Sequence, residues 1–223
     1  MTENRRTQLD AITLMLALIL LLILEYTAGF LPADWPGLLK ISLLRLVQCS
    51  VLLGLLYFRK HPPLSAGLSL KNLEKGIKTG ILGCFFMGVA ALSAGLALHF
   101  YGINPLPLIH VHLPDSTTNL ILFFIAGGLI APVAEELFFR GFIFSYLKKY
   151  GFIPALLIST SAFAILHSPP QPTQWIGGLV FGLAYGLSGS LAAPVIIHAC
   201  GNLVLFSLSW MTAQPFFHAL IYP

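Results

Sequence analysis

The stretch Ala131-Pro132-Val133-Ala134-Glu135-Glu136-Leu137-Phe138-Phe139-Arg140-Gly141-Phe142 sets two carboxylates and a guanidinium inside an apolar run. That run begins near Leu120 and ends only at Lys148 and Lys149. Ionisable groups at membrane depth are costly, so they face the protein interior and mark a functional site by default. The rest of the chain points to the same solvent. Of its 223 residues 57% are hydrophobic and 9% charged, with a mean hydropathy of +0.87, where a soluble domain carries about 25% charged residues.

The expected fold is therefore all-α, a polytopic transmembrane helical bundle forming one integral membrane domain over residues 1–223. Hydropathy gives about seven spans, near 11–23, 38–58, 77–100, 120–148, 154–167, 175–187 and 191–211. Eight are possible, because the turns around 188–190 are short. The first run resembles a signal peptide but lacks a small-x-small cleavage site and is followed by more spans, so it reads as retained. The net charge of +4 is informative by position. With a cytoplasmic N-terminus, Arg5, Arg6, Arg59, Lys60, Lys71, Lys75, Lys78, Lys148 and Lys149 all fall inside, and the outer loops hold no Lys or Arg. That is the positive-inside pattern, and it accounts for the basic charge without nucleic acid.

Several features read as packing. Gly76-x-x-x-Gly80 and Ala91-x-x-x-Gly95 permit close helix approach, and Gly178, Gly182, Gly186 and Ser190, four apart, form a smooth face. Gly151 is placed to stop the fourth span and Pro154 to start the fifth. Cys49, Cys84 and Cys200 stand singly in separate runs and read as small core residues. His110-x-His112, on a loop, reads as no metal site. Lys40 can snorkel, whereas Arg45 lies deeper and needs a partner or a reach to the headgroups.

The remaining polar groups at membrane depth are Glu135, Glu136, Arg140, His167, His198 and Asn202. Glu136 and Arg140, four apart, share a helix face and can pair, while Glu135 is turned about 100° away toward another neighbour. His198 and Asn202 are also four apart, as are Phe163 and His167. Pro132 should loosen the helix and admit water. This set can hydrolyse: an acid and an imidazole activate water, and an imidazole with a carboxamide stabilises an oxyanion. The spacing equally allows a structural ion pair with interhelical hydrogen bonds, or a proton- or ion-coupled carrier, although no internal repeat favours the carrier.

Glu135-Glu136-x-x-x-Arg140, Phe163-x-x-x-His167 and His198-x-x-x-Asn202, in that order over residues 130–202, resemble the three motifs of the CPBP family. These are the CAAX protease and bacteriocin-processing (Abi) membrane proteins, which include the type II CAAX prenyl endopeptidases. The flanking Ala131-Pro132 and Arg140-Gly141 are similar too, and the motif-bearing core is placed at about 119–212. The resemblance implies an intramembrane glutamic-type endopeptidase of a bacterial-type inner (plasma) membrane, with its N-terminus cytoplasmic. It gives Glu135, His167, His198 and Asn202 catalytic roles, the first pair on water and the second on the oxyanion, with Glu136, Arg140 and Phe163 in support. It implies no cofactor. Zn²⁺ could be bound by two histidines with carboxylates, but no HExxH is present and the family is described as metal-independent. The implied partners are membrane lipids and a peptide or protein tail: a CAAX-like or lipid-modified C-terminus, a sorting segment or a bacteriocin leader. A non-catalytic immunity or scaffold protein of the same fold, or a zinc-dependent protease, is the alternative. Eukaryotic CAAX enzymes differ in having eight spans and a longer gap between the second and third motifs.

Overall fold

The computed structural model describes residues 9–167 and 172–214. Arg5, Arg6, residues 168–171 of the Pro-rich turn and the chain after 214 lie outside the described residues. Seven main helices follow one another: α1 (Ala11–Ala28), α2 (Gly37–Phe58), α3 (Leu73–Phe100), α4 (Thr117–Tyr150), α5 (Phe152–Leu166), α6 (Pro172–Ser188) and α7 (Ala192–Ala213). A turn of helix, Leu106–Ile109, lies between α3 and α4.

The molecule is an all-α polytopic membrane bundle in which α1, α2, α3, α4 and α7 are long and apolar enough to cross. The fifth and sixth apolar runs, expected as spans, form helices of 15 and 17 residues. Fifteen residues rise about 22 Å, short of the roughly 30 Å hydrocarbon core. Ile81, Phe85, Phe86, Val89 and Leu92 of α3 are all exposed. So broad an apolar face is untenable in water and natural against lipid.

Local chemistry explains the helix ends. Asp10 caps α1 by accepting from Thr13 N at 2.8 Å, and Ser116 caps α4 by accepting from Asn119 N at 3.2 Å. Gly151, at φ +118°, ends α4 where a side chain would be strained, and Pro154 lies in the first turn of α5.

α4 is the centre of the bundle and departs from a regular helix on both sides of its carboxylates. Ala126–Ile130 and Leu137–Phe144 are π-helical, flanking an α-helical Ala131–Glu136. Pro132 accounts for the first of these. Ala131 N donates five residues back to Ala126 O; the next bond in that register would come from residue 132, which has no N–H. Gly127 O is thereby left free, and Asn202 Nδ2 of α7 reaches it at 2.8 Å. The second π segment is surrounded, with every residue from Leu137 to Phe144 buried.

The smooth face of α6 meets α5 in antiparallel register: Gly178 faces Thr160, Gly182 faces Leu156, and Gly186 faces Phe152. A Cβ at Gly182 would stand 2.5 Å from Leu156 Cδ1, and one at Gly178 2.9 Å from Thr160 Cγ2. Gly182→Val is therefore expected to destabilise by about 1–3 kcal/mol through overpacking. Gly54→Ala, inside α2 and meeting open space, should instead stabilise by about 0.5–1 kcal/mol. Thermal unfolding in detergent measures both.

Gly76 and Gly80 of α3 likewise lie against Ser190 and Ile196, whereas a Cβ at Gly95 would meet, among the described residues, only Pro105 Cγ at 3.9 Å. The first expected small-residue pair thus makes a helix contact and the second does not. Cys84 and Cys200, far apart in sequence, lie within thiol hydrogen-bonding reach across α3 and α7. The basic segments gather at one end. Asn72 donates to Gly189 O at 3.2 Å, Leu191 N to Gly67 O at 2.9 Å, and Gly141 abuts Ala66. The segment joining α2 to α3 therefore packs against α4 at Gly141 and against the α6–α7 turn.

Candidate active site

Glu135 and Glu136 leave α4 in different directions, as their 100° offset requires. Glu136 is fully buried and pairs with Arg140 one turn on, whose side chain is also fully buried. Nη1 lies 3.0 Å from Oε1 and 2.9 Å from Oε2, aligned with the former. Nη2 donates to Gly178 O at 3.0 Å, an approach open because Gly178 carries no side chain. The guanidinium carbon also lies 4.9 Å from the Phe163 ring centre, 5.4 Å from Phe181 and 5.8 Å from Phe139. A buried cation is tolerable only when paired and hydrogen-bonded, and the aromatic faces add attraction.

Glu136 holds a second partner, His198 of α7, whose Nδ1 lies 2.9 Å from Oε1. Oε1, which already accepts from Arg140 Nη1, faces Nδ1 as an acceptor, so Nδ1 carries the proton. The imidazole is stacked on Phe181 at 4.6 Å and 15°. Both constraints direct Nε2 toward Glu135, whose Oε2 is 3.8 Å away.

His167 sits where α5 ends, its backbone extended at φ −92°, ψ 98°. Its Nδ1 lies 2.7 Å from Phe163 O; a carbonyl only accepts, so this nitrogen too is protonated. Nε2 then faces Glu135 Oε2 at 3.6 Å. Phe163 is thus a hub: its carbonyl fixes one imidazole, and its ring lies 4.5 Å from that imidazole and 5.7 Å from the other.

Three helices therefore bring Glu135, His167 and His198 together around one carboxylate oxygen. Separations of 3.6 and 3.8 Å exceed a direct hydrogen bond. In its neutral form His167, protonated at Nδ1, presents a lone pair from Nε2 to the carboxylate oxygen, and one water between the two, donating one hydrogen to each, fits that separation. Asn202 is placed differently: its amide is bonded to Gly127 O, one helical turn beyond His198. One N–H of the carboxamide makes that bond and the second remains. Among the described residues no three His, Cys, Asp or Glu side chains are arranged to hold a metal ion. The His110 and His112 rings pack edge-on at 5.9 Å.

Two residues escaped the sequence reading. Phe181 gave only a faint signal, an aromatic three positions after Gly178. Gln48, 4% exposed, lies three residues from Arg45 on the same helix face, and that spacing is its one signal in the sequence. Arg45 itself has the partner it was expected to need: Nη1 donates to Glu25 Oε1 at 2.9 Å and to Gln48 Oε1 at 2.7 Å.

Fold and site together define a class: a polytopic membrane protein with an acid–imidazole centre enclosed by its helices. Residues 117–204, less than half of the chain, match the family model described as Type II CAAX prenyl endopeptidase Rce1-like. That stretch contains all the site residues named from the motifs, and α1–α3 precede it. The chain is also similar to the membrane-embedded CAAX protease MroQ of Staphylococcus aureus (strain USA300), at 34% identity over 100 residues. The alignment covers 40% of this chain and 40% of that protein. No solved structure matches the chain.

Proposed function

We propose that the chain is an intramembrane endopeptidase of glutamate type, hydrolysing a peptide bond in a membrane-associated peptide or protein tail. The observation that carries this reading is the arrangement of two fixed imidazoles, His167 and His198, at 3.6 and 3.8 Å from one oxygen of Glu135. A water between them loses a proton to Glu135, with His167 sharing the base role, as its oxygen attacks the scissile carbonyl. His198, protonated with Glu136 behind it, donates from Nε2 to the developing oxyanion, and the second Asn202 N–H supports it. Collapse of the tetrahedral species breaks the C–N bond, and the proton held by Glu135 passes to the leaving amine. Glu136 and Arg140 orient His198 and take no part in the bond changes. The similarity to CAAX proteases supports a tail substrate: a CAAX-like or lipid-modified C-terminus, a sorting segment or a bacteriocin leader. The basic segments gathered at one end support a cytoplasmic N-terminus in a bacterial plasma membrane.

The test uses purified protein in liposomes with fluorogenic membrane-anchored peptide tails, lipid-modified and unmodified. His167→Ala is expected to lower cleavage about 10²-fold, and exhaustive chelation to leave the wild-type rate unchanged. Wild-type cleavage by His167→Ala would remove its role. Loss of activity on chelation with recovery on adding Zn²⁺ would replace this mechanism with the metal-dependent one.

A further inference from the structure

Arg45 of α2 is partly buried, with 28% of its side chain exposed. α2 packs directly on Ala126–Ile130 and Ala131–Glu136 of α4, and the guanidinium is in electrostatic reach of both Glu135 and His167.

The hydrogen-bond pattern of Arg45 is lopsided. Nη1 makes both of its contacts, to Glu25 and Gln48, and Gln48 Nε2 ties back to Glu25 at 3.0 Å. Nε is buried and has no partner, and Nη2 has none among the described residues. Nε and Nη2 form the edge of the guanidinium that grips a carboxylate with two parallel hydrogen bonds. An unmade bond from a buried charged donor is costly, and a full ion pair with Glu25 would have used that edge. Instead Glu25 and Gln48 hold Nη1 and leave the Nε–Nη2 edge unengaged among the described residues.

We propose that this edge of Arg45 is a recognition site for a carboxylate of the peptide substrate, held near Glu135. The inference rests on the peptidase reading for the nature of the ligand. An anion reaches this site only on an apolar carrier, and a peptide tail brings its own: the chain-terminal carboxylate, or an acidic side chain. A substrate carboxylate beside Glu135 would otherwise meet a like charge, and Arg45 offsets that repulsion.

The test measures binding of a dansyl-labelled apolar hexapeptide to the full chain in nanodiscs in the Glu135→Gln background, so that no turnover is needed. Three forms are compared: free C-terminal carboxylate, C-terminal amide, and C-terminal amide with one glutamate side chain. The free acid is expected to bind about ten-fold or more tightly than the plain amide. Arg45→Gln should collapse that ratio to near one, Arg45→Lys should keep part of it, and Glu25→Gln should widen it by removing the internal competitor. Binding of the glutamate form as tight as the free acid assigns the site to any peptide carboxylate; binding like the amide assigns it to the chain end. An equal affinity for all forms, no binding of any, or a preference that survives Arg45→Gln overturns the proposal. Cleavage of the same peptides by wild-type protein separates the two readings. Arg45-dependent preference without cleavage removes the peptidase and keeps the anion site; cleavage without such preference does the reverse.

Discussion

Glu135→Gln is expected to reduce peptide cleavage by about 10²–10⁴-fold, the range of a positioned general base, with little change in thermal stability. The carboxamide matches the carboxylate in shape and can still hydrogen-bond, so the helix keeps its packing, but it cannot take a proton from water. The loss should appear in kcat rather than KM, because the same peptide contacts remain. Glu135→Asp sharpens the test. It keeps the charge but withdraws the carboxylate by one carbon–carbon bond, about 1.5 Å, from imidazoles already 3.6 and 3.8 Å away. An intermediate rate is expected. Cleavage by Glu135→Gln at the wild-type rate, in protein shown to be folded, would leave the mechanism without its base.

Arg140→Met is expected to act mainly on folding, destabilising by about 3–5 kcal/mol, because Glu136 is then a buried charge without its cation. Glu136 is 0% exposed on its side chain, as is Arg140, so no solvent can substitute. The double variant Glu136→Met with Arg140→Met should recover much of that loss, since apolar side chains of similar size commonly replace a buried pair without penalty. Activity should not recover with it. His198 Nδ1 would have lost the carboxylate that holds its proton and its direction. Unfolding midpoints in detergent, read beside cleavage rates, separate the two effects. A single variant no less stable than the double would show that the pair is not a charge couple.

Much of this molecule is legible in the sequence, for definite physical reasons. Apolar runs predict where helices lie because in lipid the backbone must satisfy itself, and every predicted run is helical where it is described. A period of 3.6 residues is enough to pair Glu136 with Arg140 and to turn Glu135 away. The glycine stripe of α6 is equally local, since spacing of four places Gly178, Gly182 and Gly186 on one side. What that stripe would meet was not legible: the facing residues, Thr160, Leu156 and Phe152, lie in another helix.

The sequence by itself determined the solvent, the helices and the short inventory of polar groups within them, since these depend on composition and on contacts within a turn or two. Only the tertiary structure decided which groups meet. It gave His198 to Glu136 rather than to Glu135 through Nδ1, turned both Nε2 atoms toward one oxygen, assigned Asn202 to the carbonyl that Pro132 leaves free, and packed the helix of Arg45 against that of Glu135. Those pairings join residues dozens of positions apart, and the packing of helix on helix, which no local period encodes, is what fixes them.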